Sequence, residues 1–361
     1  MVEPLLHLVT TAGWRRILAT GAIEPAPFVH LSTPAQVALP ANYLLPGRDD
    51  VVLLVLDPAR LAGVRFEDGE PPHPDGRQFP HAYAPVPVSA VLAAMPYRPR
   101  ADRGFDPPGP LPTTTAARAA ATDPSIRRRA ADEEVPVTGG VAVHTAAFRR
   151  RWSANLLFVT GPADAAQVEA DAERVLGGWG LGHRVAHLYG EHLAATAAGL
   201  CERGWTVDEE VTMAARPAPG RADRVEQVDG ATLLPFWTAT RRSRHPDICD
   251  AEIREMLGSH AAEAAVTDVR FLAVHEGGEV VAATVLKLDG ASASFGPLDT
   301  LPAAQGRGHG DALVTAALDV AARAGCDLVT LDALADDWPR RWYGRRGFVE
   351  VGRSWSACRP A

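Results

Sequence analysis

Apolar positions recur along this chain with different periods, and the changes of period divide it into segments. In residues 1–104 they come as short runs rich in Val, Leu and Pro, the clearest being Val51 to Leu56, stopped by Asp57-Pro58. A continuous apolar run between breakers predicts a buried strand. Helical patterning is thin there, so a compact α+β domain is expected. Residues 105–126 hold Asp106-Pro107-Pro108-Gly109-Pro110 and then threonines and alanines. They show no amphipathic period, which predicts a linker. From 127 to 218 the periods alternate, with strands expected over 152–160, 183–189 and 205–214 and helices over 164–179 and 191–203. From 219 to 361 the pattern predicts a helix pair over 230–265 and a hairpin of 269–275 with 279–288 across Glu276-Gly277-Gly278. A strand over 291–300, a helix over 310–324, a strand over 327–331, a short helix over 337–345 and a strand over 348–355 follow.

Composition narrows the classes. A chain of 361 residues exceeds one ordinary core, so about two or three domains are expected. With 47% hydrophobic and 22% charged residues the balance is that of a globular protein. No apolar run approaches the roughly 18–20 residues that span a bilayer. The start, Met-Val-Glu-Pro-Leu-Leu-His, lacks a basic region followed by an apolar one, so a cytoplasmic protein without membrane partner is expected. The cysteines (Cys201, Cys249, Cys326, Cys358) form no Cys-x-x-Cys pair, and no metal site is expected. A net charge of −8 argues against nucleic acid. The basic runs Arg127–Arg129 and Arg149–Arg151 read as solvated faces.

The densest chemical signal lies between a predicted strand and a predicted helix: Gln305-Gly306-Arg307-Gly308-His309-Gly310, followed by Asp311. Glycines allow positive φ and close backbone approach, and free N–H groups at the positive end of a helix form an anion site. A diphosphate is the natural occupant. The spacing Gln305-x-x-Gly308-x-Gly310 resembles the pyrophosphate-binding loop of the GNAT (Gcn5-related N-acetyltransferase) superfamily. Tyr343-Gly344-Arg345-Arg346-Gly347-Phe348 resembles its Tyr-x-x-x-Gly-Phe element, and the order of elements agrees over about 140 residues.

The resemblance implies direct transfer of an acetyl group from acetyl-CoA, as substrate, to a primary amine on a small molecule or protein. Backbone groups of Gln305, Gly306, Arg307, Gly308, His309, Gly310 and Asp311 would hold the pyrophosphate. Leu298 and Thr300 would pair with the pantetheine arm, and Tyr343 would protonate the departing thiolate. Asp299 and Asp332, at the ends of the strands flanking the cleft, are candidate bases. Glu252 and Glu255 read as a solvated helix face. The acceptor pocket is expected near Phe236 to Leu257.

The middle segment resembles half of a second GNAT fold: Arg203-Gly204-Trp205 parallels Arg346-Gly347-Phe348. Its loop Val159-Thr160-Gly161-Pro162-Ala163-Asp164 lacks the phosphate-loop glycines, and Leu200 stands where the tyrosine belongs. This copy is expected to cover a sheet edge or wall the acceptor pocket. The expected class is thus α+β / α/β, a compact N-terminal α+β domain followed by a tandem GNAT-like mixed-sheet region in which only the C-terminal copy is intact.

In the first segment His7, His30 and His81 each sit among apolar or aromatic neighbours and are candidates for one pocket. Phe28-Val29-His30-Leu31-Ser32-Thr33 and Phe79-Pro80-His81-Ala82-Tyr83 resemble domain-of-unknown-function family 952, whose fold is similar to that of ADP-ribosyltransferases. That implies a cleft able to take NAD. The alternatives to an acetyltransferase are an acetyl-CoA sensor and a bifunctional protein with NAD-linked chemistry. The sequence specifies neither acceptor nor oligomeric state.

Overall fold

The computed structural model describes residues 3–69 and 75–360. The N-terminal segment holds β1 (Leu5–Thr10), α1 (Thr11–Thr20), β2 (Ala22–Ile23), β3 (Val29–His30), α2 (Ala38–Leu44), β4 (Val51–Leu56), β5 (Val64–Asp68), β6 (Gln78–Ala82), β7 (Val86–Pro87) and β8 (Val91–Pro96). β4 lies between β1 and β8, antiparallel to both. All of Val51–Leu56 is buried because both faces of the strand are covered. Val52, Leu54 and Leu56 pack with Trp14 on one side, and Val51, Leu53 and Val55 with Tyr97 and Phe105 on the other.

The expected linker is not one. Phe105 is core, and α3 (Thr115–Ala130) starts at Thr114, whose side chain accepts from the Ala117 N–H at 3.2 Å. The helix continues through Pro124, although proline removes one helical hydrogen bond. It escaped the apolar period because polar groups anchor it. Arg118 donates to the Ala291 carbonyl at 3.0 Å and to Asp327 at 2.5 Å. Arg129 donates to Asp289 at 2.6 Å, with both side chains buried. The basic run 127–129 is therefore a buried anchor rather than a solvated face: Arg127 pairs with Asp123 and Arg128 with Glu134.

After α3 come β9 (Glu133–Val137), β10 (Gly140–His144), β11 (Leu156–Val159), α4 (Ala165–Gly178), β12 (His183–Tyr189), α5 (Ala194–Glu202) and β13 (Thr206–Ala215). The last part holds β14 (Val225–Val228), α6 (Leu234–Arg244), α7 (Asp250–Ala264), β15 (Asp268–Glu276), β16 (Glu279–Asp289), β17 (Ser292–Thr300), α8 (His309–Arg323), β18 (Leu328–Leu334), α9 (Trp338–Gly344) and β19 (Val349–Pro360). Among the described residues, eleven strands form one sheet in the order β14-β15-β16-β17-β18-β13-β19-β12-β11-β10-β9. The two halves exchange their final strands. β13 lies between β18 and β19, while β19 lies between β13 and β12. Neither half closes its own sheet, so the middle segment is part of the same body as the C-terminal one.

The N-terminal segment docks on this sheet at the turn before β17. The Ala291 N–H donates to the Val91 carbonyl at 2.7 Å. Gly290 has φ 81°, and a Cβ there would stand 2.4 Å from that carbonyl oxygen, so only glycine fits. Asp289 accepts from Trp14 Nε1 at 2.8 Å, from Arg129 and from Thr267 Oγ1 at 3.1 Å, tying α1, α3 and the sheet together. Among the described residues no helix is long and apolar enough to cross a membrane.

Candidate active site

β17 and β18 run parallel but pair only over Ser292–Ser294 with Leu328–Thr330. Beyond that both continue, to Thr300 and Leu334, without pairing to each other. The strands splay, and the loop into α8 closes one end of the gap. A cleft of about 820 Å³ lies there, bounded by Leu298, Thr300, Gln305, Gly306, Gly308, His309, Gly310 and Asp311, with Arg244 and Trp338, Trp342 and Tyr343 of α9 opposite.

The loop is built for an anion. Gly308 caps α8 with φ 80° and no side chain, and a Cβ on Gly306 or Gly308 would meet nothing within 4 Å. The backbone N–H groups of residues 306–311 make no hydrogen bond to any described residue. Free N–H groups at the positive end of a 15-residue helix attract negative charge. Arg307 turns its guanidinium away, to Glu276 at 2.6 Å and the Ala303 carbonyl at 2.8 Å. The His309 ring is buried, so this residue offers only its backbone to the cleft. Asp311 pairs with Arg346, whose guanidinium lies 3.7 Å from the centre of the Trp342 ring.

The corresponding loop of the middle half is already satisfied. Asp164 caps α4, accepting from the Gln167 N–H at 2.8 Å, while Gln167 Oε1 accepts from the Asp164 N–H at 2.9 Å. A resident carboxylate thus occupies the helix end. β11 also stays paired with β12 to its last residue, Val159, so no gap opens.

Tyr343 packs its ring 4.9 Å from Trp342 and 5.6 Å from Phe348. Burial, and then the charge of Asp299, push its hydroxyl up to about 12, so it stays protonated at neutral pH. Asp299 is buried and ion-paired with Arg244, with Arg241 at 3.9 Å. The ion pair with Arg244 engages Oδ1, while Oδ2 has no hydrogen-bond partner among the described residues. Asp332 accepts from Thr212 Oγ1 at 2.7 Å. The residue is exposed, yet the surrounding protein, and then Asp123, raise its carboxyl to about 6, although the hydroxyl of Thr212 opposes the shift. Sequence reasoning missed its neighbour Glu210, on the same face of β13 two residues before Thr212. Burial, and then Asp332, raise Glu210 to about 7. The signal was present in Asp208-Glu209-Glu210, but such a run reads as a solvated edge.

In the N-terminal segment the three histidines come together. His30 and His81 rings are 5.2 Å apart, Phe28 stacks on His81 at 4.0 Å, and His7 Nδ1 is 2.7 Å from the His30 carbonyl. His81 Nδ1 is 3.0 Å from Glu67, which also accepts from the Tyr83 hydroxyl at 2.7 Å. Among the described residues no group of three or more His, Cys, Asp and Glu is arranged to hold a metal ion.

Residues 267–350 match the family model described as Acetyltransferase (GNAT) domain, and residues 8–94 the one described as Protein of unknown function (DUF952). The chain thus carries a GNAT domain behind a DUF952 domain. Among solved structures it is similar to a functionally unknown conserved protein from Staphylococcus epidermidis, with 12% identity over 64% of this chain and 94% of that one, at a TM-score of 0.53. It is also similar to a GCN5-related N-acetyltransferase from Kribbella flavida, with 18% identity over 69% and 97% of the two chains, at a TM-score of 0.50. At such identities the likeness shows the fold. No curated protein matches the sequence. NAD chemistry finds no support in these comparisons.

Proposed function

We propose that this chain is an N-acetyltransferase that moves an acetyl group from acetyl-CoA to a primary amine. The observation that carries the reading is the run of unpartnered N–H groups at residues 306–311, beside a gap in which β17 and β18 no longer pair with each other. The residues fit the substrate: the loop matches a pyrophosphate, and the exposed edge of β17 near Leu298 and Thr300 matches an extended amide-bearing arm. Acetyl-CoA supplies an activated acetyl thioester.

The chain's own groups supply the proton movements. An ordinary alkylamine has a pKa near about 10.4 and must lose a proton before it attacks. Asp332, raised to about 6 yet still mainly ionised at neutral pH, serves as the acceptor of that proton, directly or through water. Glu210 beside it takes up the proton in turn, since its own value lies near 7. Tyr343 hands its hydroxyl proton to the thiolate as the carbon–sulfur bond breaks, and its high pKa keeps that proton available.

The test is thiol release from acetyl-CoA with a mixture of primary amines. Amine-dependent release that falls about 100-fold or more in Asp332→Asn is expected. Release that ignores the amine contradicts acetyl transfer, and an unchanged rate in Asp332→Asn removes the carboxylate from the mechanism.

A further inference from the structure

A second large cavity, of about 720 Å³, lies between the two halves, walled by the loop after β10, by β12, β13 and β19, and by α6 and α7. Arg151, Arg241 and Met256 line it, and the same three residues bound a small void that reaches Pro297. Pro297 adjoins Leu298, which borders the loop cleft. A molecule in the larger cavity therefore approaches the splayed strands from the side away from α8.

Arg151 is the anomaly in this cavity. Its side chain makes no hydrogen bond and no ion pair with a described residue, and its Nε is enclosed without a partner. Burial lowers its pKa to about 10, the positive charges of Arg127 and Arg241 add to that effect, and Glu263 and Asp123 oppose it. Neither acid pairs with it, because Lys287 donates to both Glu263 and Asp123 at 2.8 Å. Arg127 pairs with Asp123 at 2.5 Å. Arg241 reaches Asp299 only at 3.9 Å, and Arg244 already holds that carboxylate. Of the three acids on the cavity wall, Asp208 and Asp247 are exposed and Glu252 accepts from the Cys249 N–H at 2.9 Å. A partly enclosed guanidinium without an ion-pair partner costs a fold stability, so its retention on the wall of a cavity points to a ligand. The planar fork of Arg matches carboxylate and phosphate oxygens, and two such groups together hold an oxyanion better than one.

We propose that the amine acceptor carries an oxyanion, a carboxylate or a phosphate, held by Arg151 and Arg241 in the cavity between the halves. Its amine then points along the sheet toward Asp332 and Glu210. The middle half, which cannot hold acetyl-CoA, thereby supplies the acceptor's anchor. The acceptor's role rests on the acetyltransferase reading; the anion site does not.

Two measurements separate these. Sulfate is titrated by calorimetry at constant ionic strength into the full chain carrying Gly308→Glu, which fills the loop. One saturable site is expected, weakened about tenfold or more by adding Arg151→Met or Arg241→Met. Arg151→Met in the otherwise native chain should unfold at the same or a higher temperature, because an uncompensated charge is gone. Sulfate binding indifferent to both arginines, or no binding, overturns the site. Thiol release is then compared for glycine against methylamine and phosphoethanolamine against ethanolamine. A preference of about 30-fold or more for an anionic member, lost in Arg151→Met, is expected. Which pair shows it tells carboxylate from phosphate, and equal or reversed preference overturns the acceptor class. A sulfate site without thiol release from any amine would instead count against acetyl transfer alone.

Discussion

Replacing Glu210 by Gln removes a carboxyl that burial and Asp332 raise from 4.5 to about 7. Its protonated form suits the fold and its ionised form does not. The stabilisation from this group is therefore fully present below pH 4.5 and is lost as pH rises through about 7. A displacement of that size corresponds to about 3 kcal/mol at about 1.4 kcal/mol per tenfold change in proton affinity. Glu210 is half-buried, and water in the cavity screens it, which reduces the expected effect to about 1–2 kcal/mol. Gln keeps the shape and carries no charge, so Glu210→Gln should match the wild type in acid and exceed it by that amount at about pH 8. Denaturant melts of both proteins across this range measure the difference. Parallel stability curves would refute the reasoning, because they would mean the carboxylate is as well solvated folded as unfolded.

Tyr343→Phe should lower kcat by about 100-fold while leaving acetyl-CoA affinity nearly unchanged, as measured by steady-state kinetics and calorimetry; a proportional loss of affinity would make the hydroxyl a binding group. Asp289→Ala leaves Arg129 buried without its partner and should cost about 3–5 kcal/mol in denaturant melts, with Trp14 fluorescence reporting release of α1; a loss below about 1 kcal/mol would show that Asp289 does not join the segments.

What could be read in the sequence was local. Gln305 to Gly310 announces a strand–loop–helix turn by glycine spacing alone, and the alternation from 268 to 300 gives the hairpin and β17 nearly to the residue. α3 escaped because its contacts are polar and distant: Arg118 and Arg129 meet Asp327 and Asp289, and no apolar stripe records such pairing. The strand exchange of β13 and β19 likewise leaves no local trace, since a strand looks the same whichever neighbour it has. Arg151 sits in a basic run that resembles any solvated face, and only the packing of α7 beside it encloses its Nε. Asp299 stands at the strand end where a base is expected, but its ion pair with Arg244, from α6, leaves no local trace in the sequence.

The most direct test of the central claim is calorimetric titration of the purified chain with acetyl-CoA, alongside Gly308→Glu and Asp164→Ala. Binding at a single site is expected, abolished by Gly308→Glu, which puts a carboxylate against the free N–H groups, and untouched by Asp164→Ala. No binding to the wild type, or a second site sensitive to Asp164→Ala, would contradict the assignment of the α8 loop as the sole acetyl-CoA cradle.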